Sequence, residues 1–494
     1  MNSKLVLQSL TRNHCAIISR SYHLAKNNSR PTLYSKISPL GNSSVSAELD
    51  NWVKTGQKVR FPELQRIVFD LRKRRRFTQA LEVLEWMSRL STVVISPAEH
   101  AIRLDLIGKV HGFEAAEVYF NNLKDIDKTD KTHGALLNCY ARQKQVDKCI
   151  SHMRKMKELG LATSSLTYNG IMCLYTNIGQ HEKVPSVLAE MKSNNISPDN
   201  YSYRICISSY GVRSEIGEME KVLNEMEQQE NILVDWNTYT VVANFYIKSG
   251  LRDKAIDALK KAEEVLQWKD GTGFNHLISL NAALGNTAEI IRLWNAEKTL
   301  CKRCINRDYI TVLEALVKVK EIDEAVKILE EWKSCRNNYD FKVPNVVVIG
   351  CVEQGMMEKA EAVLRKLMEK GKAVTPNSWA TVAKGYLDKD EPAKAFECMK
   401  AAVSQYEENK GWKPNPRVIT GVLSWLGDEG SAEDARAFVD GLMKVVPVSR
   451  EMYHALLKAY KRSGKEVESL LSAMEADGIA QNGKTQRILG RKAD

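Results

Sequence analysis

Turn residues are scarce in this chain: 494 residues carry only 12 prolines and 27 glycines. A β-sandwich or barrel needs more of both, so the balance favours helices. No run approaches the roughly 18 consecutive apolar residues of a membrane-spanning helix, and no membrane partner is expected. The ten cysteines are not accompanied by the continuous apolar core of a secretory signal, which points to reduced thiols. The only close pair is Cys301 and Cys304. A CxxC without a second pair or a CxxH partner is a weak zinc signal, so no metal is expected.

Acidic residues are missing from the first 47 positions. That stretch holds Lys4, Arg12, Arg20, Lys26, Arg30 and Lys36 and ten serines, and Glu48 is the first carboxylate. Basic, serine-rich and acid-free is the composition of an organellar transit peptide, with a disordered basic tail as the alternative. Arg20-Ser21-Tyr22 resembles mitochondrial processing sites, which places cleavage near residue 22. The expected destination is the mitochondrion, with the chloroplast as the alternative. The net charge of +11 falls to about +5 once these six cations are set aside. A body this mildly basic can hold nucleic acid only through local stripes of charge.

What is present is ordinary soluble composition, 44% apolar and 27% charged, which excludes disorder across the whole chain. At 55.8 kDa the chain is too long for a typical single compact domain and suits two or three, or a repeat array. The pattern favours the array. Tyr140, Tyr175, Tyr210 and Tyr246 are spaced 35, 35 and 36 apart, and Met156, Met191 and Met226 by 35 and 35. Gly250, Gly285, Gly355 and Gly430 are spaced 35, 70 and 75, and Ala255, Ala325, Ala360 and Ala395 by 70, 35 and 35. Several residue types share one period at fixed offsets, which is internal repetition.

Each unit reads as two helices. In the segment from Ser165 to Asp199, Thr167 opens a helix and its hydroxyl can cap free amides. Tyr168, Ile171, Met172 and Tyr175 follow at helical spacing, Gly179 marks a turn, and Val184, Val187, Leu188 and Met191 form a second apolar stripe. Thr132, Ser202, Thr238, Asp308 and Ser378 fill the same capping slot. One helical pair cannot bury its stripe, whereas stacked neighbours can. The predicted fold is therefore all-α: an α-solenoid, or superhelix, of about twelve helix-turn-helix repeats of about 35 residues. Units start near residues 61, 97, 130, 165, 200, 236, 271, 306, 341, 376, 416 and 450. The predicted organisation is a transit peptide over 1–47, a lead-in or cap over 48–60, the repeat array over 61–481 and a polar tail over 482–494.

Ser165-Leu166-Thr167-Tyr168-Asn169, followed by Gly179, Met191 and Ile196-Ser197-Pro198-Asp199, resembles a pentatricopeptide repeat. Trp236-Asn237-Thr238-Tyr239-Thr240 with Tyr246, Gly250 and Ala255 resembles another. The likeness is to the P-class, plant organellar type, and it covers about residues 61–480. The tetratricopeptide alternative has a period of 34 and a Trp-x2-Leu-Gly-x2-Tyr pattern that is not found.

The resemblance implies binding of single-stranded RNA, roughly one base per repeat. In that family the fifth and last residues of a repeat read a base edge, the second packs between bases, and a basic residue near position thirteen faces phosphate. Carried over, Asn169 with Asp199 resembles a uracil reader and Thr240 with Asp270 a guanine reader. Arg204 and Ile310 depart from the fifth-position pattern, as do Ala101, Gly134, Ala380 and His454. Asn275 with Ile305, Asn345 with Thr375 and Thr420 with Ser449 are partial matches. The wedge slot holds Leu166 and Tyr201, but elsewhere Lys131, Asn237, Thr272, Arg307, Lys342, Asn377, Arg417 and Glu451. Lys73, Lys109, Arg142, Lys248, Lys318 and Arg462 share the phosphate offset and predict one cationic stripe.

Arg72-Lys73-Arg74-Arg75-Arg76 is the densest basic run and a second phosphate candidate, set against a solvated turn. The fourth-slot tyrosines Tyr168, Tyr203, Tyr239, Tyr309 and Tyr453 read as inter-helix core rather than base platforms. No phosphate-cradling glycine loop, HExxH pair or deaminase HxE with a matched CxxC occurs, so no catalytic residue, cofactor or small-molecule substrate is expected. Two function classes remain. One is an RNA-binding factor for transcript stability, processing or translation. The other is an architectural subunit of the mitochondrial ribosome, bound to ribosomal RNA and ribosomal proteins.

Overall fold

The structure, a computed structural model, describes residues 32–38, 44–89, 95–267, 271–301, 303–335, 337–406 and 411–490. Among these residues lie 27 α-helices and no strand. No described helix is long and apolar enough to cross a membrane. Twelve helix pairs follow one another. Their first helices begin at Phe61, Pro97, Asp130, Ser165, Asn200, Trp236, Gly271, Asn306, Lys342, Pro376, Pro416 and Arg450. Each start falls within one residue of the expected one. The chain divides between Ile232 and Leu233 into two compact units, with five pairs in the first and seven in the second. Each unit is an α-solenoid.

The local chemistry repeats from pair to pair. In the pair Ser165–Asn177 and Val184–Ser193, the side chains of Tyr168, Ile171, Met172, Val187, Leu188 and Met191 are all buried. The fourth-slot tyrosines are core, as expected, with Tyr168, Tyr203, Tyr239, Tyr309 and Tyr453 all buried. Their hydroxyls remain satisfied at the edge. Tyr203 donates to Glu225 at 2.7 Å and Tyr309 to Glu331 at 3.2 Å, while Tyr168 accepts from Asn194 at 2.9 Å. The recurrent alanines Ala255, Ala325, Ala360 and Ala395 are fully buried where helices cross.

The turn between the two helices needs one left-handed residue. Gly179 and Gly250 supply it with φ of 79° and 74°, yet Lys144 and Lys320 occupy the same place at 57° and 67°. Gly430 belongs to a different class despite its matching spacing. Its φ is not left-handed, and a Cβ there would stand 2.8 Å from the Leu426 backbone.

The capping slot also works differently from the expectation. The helix containing Thr167 begins at Ser165, so Thr167 is its third residue and Ser164 is the cap. Elsewhere the third-position side chain reaches back to the amide before the helix. Thr129 N–H donates to Thr132 at 2.9 Å, Asp199 N–H to Ser202 at 3.2 Å, and Ile305 N–H to Asp308 at 2.8 Å. Burial of this slot explains why only small or hydrogen-bonding side chains fill it.

Two expected boundaries shift. Residues 1–31 of the expected transit segment, with the Arg20 processing site, lie outside the described residues. The boundary at residue 47, however, falls inside the helix Val45–Lys54, and a short helix Leu33–Ile37 precedes it. Leu33, Ile37, Val45 and Leu49 are buried. Tyr34 donates to Asp70 at 2.9 Å, and Trp86 to Asp50 at 2.7 Å. At the other end, the expected polar tail holds a helix, Gly483–Leu489, with Thr485 buried. Both elements cover the apolar edge that a terminal repeat leaves open.

Candidate nucleic-acid interface

The second and fifth residues of a first helix lie one turn apart and share a face. In the repeat starting at Ser165 these are Leu166, 60% exposed, and Asn169, 2% exposed. Tyr201, second in the following repeat, is 46% exposed. The amide of Asn169 donates to the carboxylate of Asp199 at 3.2 Å, while its Oδ1 has no partner. Asp199 also accepts from Ser165 Oγ and from Ser202 N–H, each at 2.8 Å. Burial alone would lift the Asp199 carboxyl, but the Ser202 amide, the Ser165 and Ser202 hydroxyls and the Asn169 amide outweigh it and hold the carboxyl below its ordinary value. A fixed anion thus orients a buried amide whose acceptor oxygen has no partner, with Leu166 and Tyr201 exposed in the two neighbouring wedge slots.

The second expected pair is only half visible. Thr240 is buried and its hydroxyl donates to Asn237 O at 2.9 Å. Asp270 lies outside the described residues. Asn275 was expected to pair with Ile305, but the structure gives it a different partner. Its amide donates to Asp308 at 2.7 Å, and its Oδ1 is likewise buried without a partner. Asp308 stands at the third position of the next first helix, so the signal that would have found it was the capping slot. Asn345 uses the same route and accepts from Ser378 at 2.8 Å. Near Asp308, Glu297 is buried with neither carboxylate oxygen partnered. Burial first, then the Asp308 charge, raises it to about 8 against the opposing pull of Arg307.

The wedge slots point outward whether polar or apolar, and Lys131, Thr272, Lys342, Asn377, Arg417 and Glu451 are exposed. Arg307 donates across the slot to Thr272 at 3.2 Å.

The expected phosphate stripe divides in two. Five of its six members are the last residue of a first helix, where a cation is favoured by the helix dipole. Lys109 and Arg142 both pair with Asp105, at 2.7 and 3.1 Å. Burial would lift the Asp105 carboxyl, but these two cations hold it below its ordinary value. Arg462 donates to the carbonyls of Asp428 and Gly430. All three side chains are therefore engaged, Lys109 within its own helix and Arg142 and Arg462 across to the preceding repeat. Lys73 and Lys318 are exposed and have no ion pair among the described residues, and Lys248 lies over the Phe245 ring at 5.4 Å. The Arg72–Arg76 run is likewise largely structural. Arg72 pairs with Asp105 at 3.3 Å, Arg74 with Asp70 at 2.8 Å, and Arg76 donates to Ser38 O at 2.7 Å. Acceptors from the preceding cap and the following repeat converge on that turn, which its sequence alone does not reveal.

Among the described residues, no group of three or more His, Cys, Asp or Glu side chains is placed to hold a metal ion. Burial raises the Cys304 thiol to about 12, with Glu297 and Asp308 adding to the effect.

Comparison with known proteins agrees with this fold. The PPR repeat family model matches residues 163–211, and the PPR repeat model matches 131–161, 201–230, 308–337 and 344–371. A mitochondrial pentatricopeptide repeat-containing protein of Arabidopsis thaliana is 51% identical over 480 residues, covering 97% of this chain and 98% of its own. A second mitochondrial protein of that description from Arabidopsis thaliana is 34% identical over 463 residues, covering 93% and 92%. The crystal structure of the maize pentatricopeptide repeat protein PPR10 shares the fold at 18% identity and a TM-score of 0.50, over 92% of this chain and 69% of that one. With a repeated helix pair, the register of its buried slots and relatives matched along almost their whole length, the chain is a mitochondrial member of the pentatricopeptide repeat family.

Proposed function

We propose that this protein is a mitochondrial RNA-binding factor without catalytic activity that acts on the stability, processing or translation of a transcript. One observation carries the reading: the Asn169 amide is locked by Asp199 with its oxygen unpartnered, between Leu166 and Tyr201. An oriented amide presents one donor and acceptor pattern to a splayed-out base, and flanking apolar side chains can pack on its faces. Asn275, held by Asp308 from the third position of the next first helix and set between the polar wedge residues Thr272 and Arg307, is a second candidate reader. Lys73, Lys248 and Lys318 supply the cations that meet backbone phosphate. The acid-free residues 1–31 act as the import signal, and the buried contacts of Leu33 and Ile37 favour cleavage before Thr32.

Filter binding of purified protein to oligouridylates, against other homopolymers, tests this reading. Uridine preference that is lost in Asn169→Ala is the expected result. Equal binding to all homopolymers by both proteins would refute base reading at Asn169. The polar residues in most wedge slots favour a second reading, an architectural subunit on ribosomal RNA. Sucrose-gradient sedimentation of mitochondrial lysate separates the two, because a subunit travels with the ribosome and a free factor stays near the top.

A further inference from the structure

The last repeat, the end of the preceding repeat's first helix at Gly427 and Asp428, and the helix Gly483–Leu489 line a shallow, wide-open groove. Its polar lining is Asp428, Lys458, Lys461, Arg462, Lys484 and Arg487, five cations against one carboxylate. Lys458 pairs with Asp428 at 2.6 Å, Lys461 donates to Ile488 O at 2.8 Å, and Arg462 donates to the Asp428 and Gly430 carbonyls. Lys484 and Arg487 are exposed and form no ion pair among the described residues.

The helix also keeps the register of the array. Thr485, its third residue, is buried and hydrogen-bonds at 2.9 Å to His454, the fifth residue of the last repeat. That is the relation Asp308 has to Asn275 and Ser378 to Asn345. The helix therefore holds the register of the first helix of a thirteenth repeat. In that register Lys484 occupies the wedge slot and Arg487 the base-facing slot. Neither is a base reader, and His454 behind them is turned inward to Thr485. Burial, with the Lys484 charge adding to it, lowers the His454 pKa and keeps the ring neutral.

We propose that this helix is a phosphate clamp, which holds the backbone of the RNA strand beside the twelfth repeat, without regard to sequence. The inference rests on the RNA-binding reading above. Unpaired cations at the two slots that elsewhere face the base make the contact electrostatic, and the excess of positive charge in the groove selects a polyanion.

The test compares full-length protein with Lys484→Gln/Arg487→Gln, and with Lys260→Gln/Lys327→Gln as a charge-matched control on second helices. Binding to oligouridylates of about 14 nucleotides, roughly one per repeat, is followed against salt. Loss of two phosphate contacts flattens the salt slope by about 1.4, at roughly 0.7 per contact, with the control unchanged. Shortening the RNA from one end only should abolish the difference between native and variant protein. A variant slope equal to the native one, or an equal loss in the control, overturns the clamp and leaves RNA binding standing. Weakened binding of polyglutamate with an unchanged RNA slope overturns it in favour of an acidic protein partner. Failure of native protein to bind any RNA overturns the RNA reading itself, and the clamp with it. Lys484 and Arg487 are exposed, so unchanged thermal melting of the variant is expected and serves as the folding control.

Discussion

Replacing Glu297 with glutamine should remove a pH dependence built into the second unit. Glu297 is 0% exposed on the helix Thr287–Leu300, and neither of its oxygens has a partner. Burial is the main cause of its raised pKa, the Asp308 charge adds to it, and Arg307 opposes it. The carboxyl titrates near 4.5 when unfolded and at about 8 when folded. Between those values the unfolded chain has released a proton that the folded chain retains, so stability falls as pH rises across the window and levels off above it. The interval of about 3.5 pH units, at 1.36 kcal/mol each, sets a ceiling of about 5 kcal/mol. Relaxation and water entry bring the expected effect to about 2–4 kcal/mol. Glutamine leaves an amide unpaired at every pH, a constant offset of about 1–3 kcal/mol, so the readout is the change with pH. Amide exchange of residues 271–318 at pH 5 and pH 8 measures it locally, as suits a repeat array. The variant should gain about 2–4 kcal/mol on the native protein between the two conditions. Parallel pH profiles would refute the reasoning.

Three further outcomes follow from the same geometry. Gly250→Ala meets no atom within 4 Å, so its destabilisation should be only the left-handed penalty of about 1–2 kcal/mol, whereas Lys320→Gly should be close to neutral or stabilising in the same urea melts. Ala360→Leu forces extra volume into a fully buried crossing, with an expected loss of about 1–3 kcal/mol and faster exchange mainly in the adjoining helices; a uniform response across the second unit would contradict nearest-neighbour stability. On RNA, Asp199→Asn should alter base preference with little change in salt slope, whereas Lys248→Ala with Lys318→Ala should weaken all RNAs and flatten the slope by about 1.4; identical behaviour of the two variants would sink the division of roles.

The helix pairs and their starts were legible in the sequence because each repeat must present the same apolar stripe to its neighbours. A period of 35 residues in tyrosine, methionine, glycine and alanine is the direct imprint of that stacking. The fourth-slot tyrosines followed from the same spacing, whereas the pairing of Asn169 with Asp199 was implied by the family resemblance. Only the tertiary structure decided which charges are occupied. Arg142 and Arg462 share an offset with Lys318, but Asp105 and the carbonyls of Asp428 and Gly430 come from other helices and engage the first two. It likewise gave Asn275 its Asp308 partner, drew residues from Leu33 onward into the fold, and turned the expected tail into a helix carrying Lys484 and Arg487. The physical reason is the same in each case: periodicity records contacts that every repeat makes, and a contact made once, by an acceptor distant in the chain or at an array end, leaves no period to read.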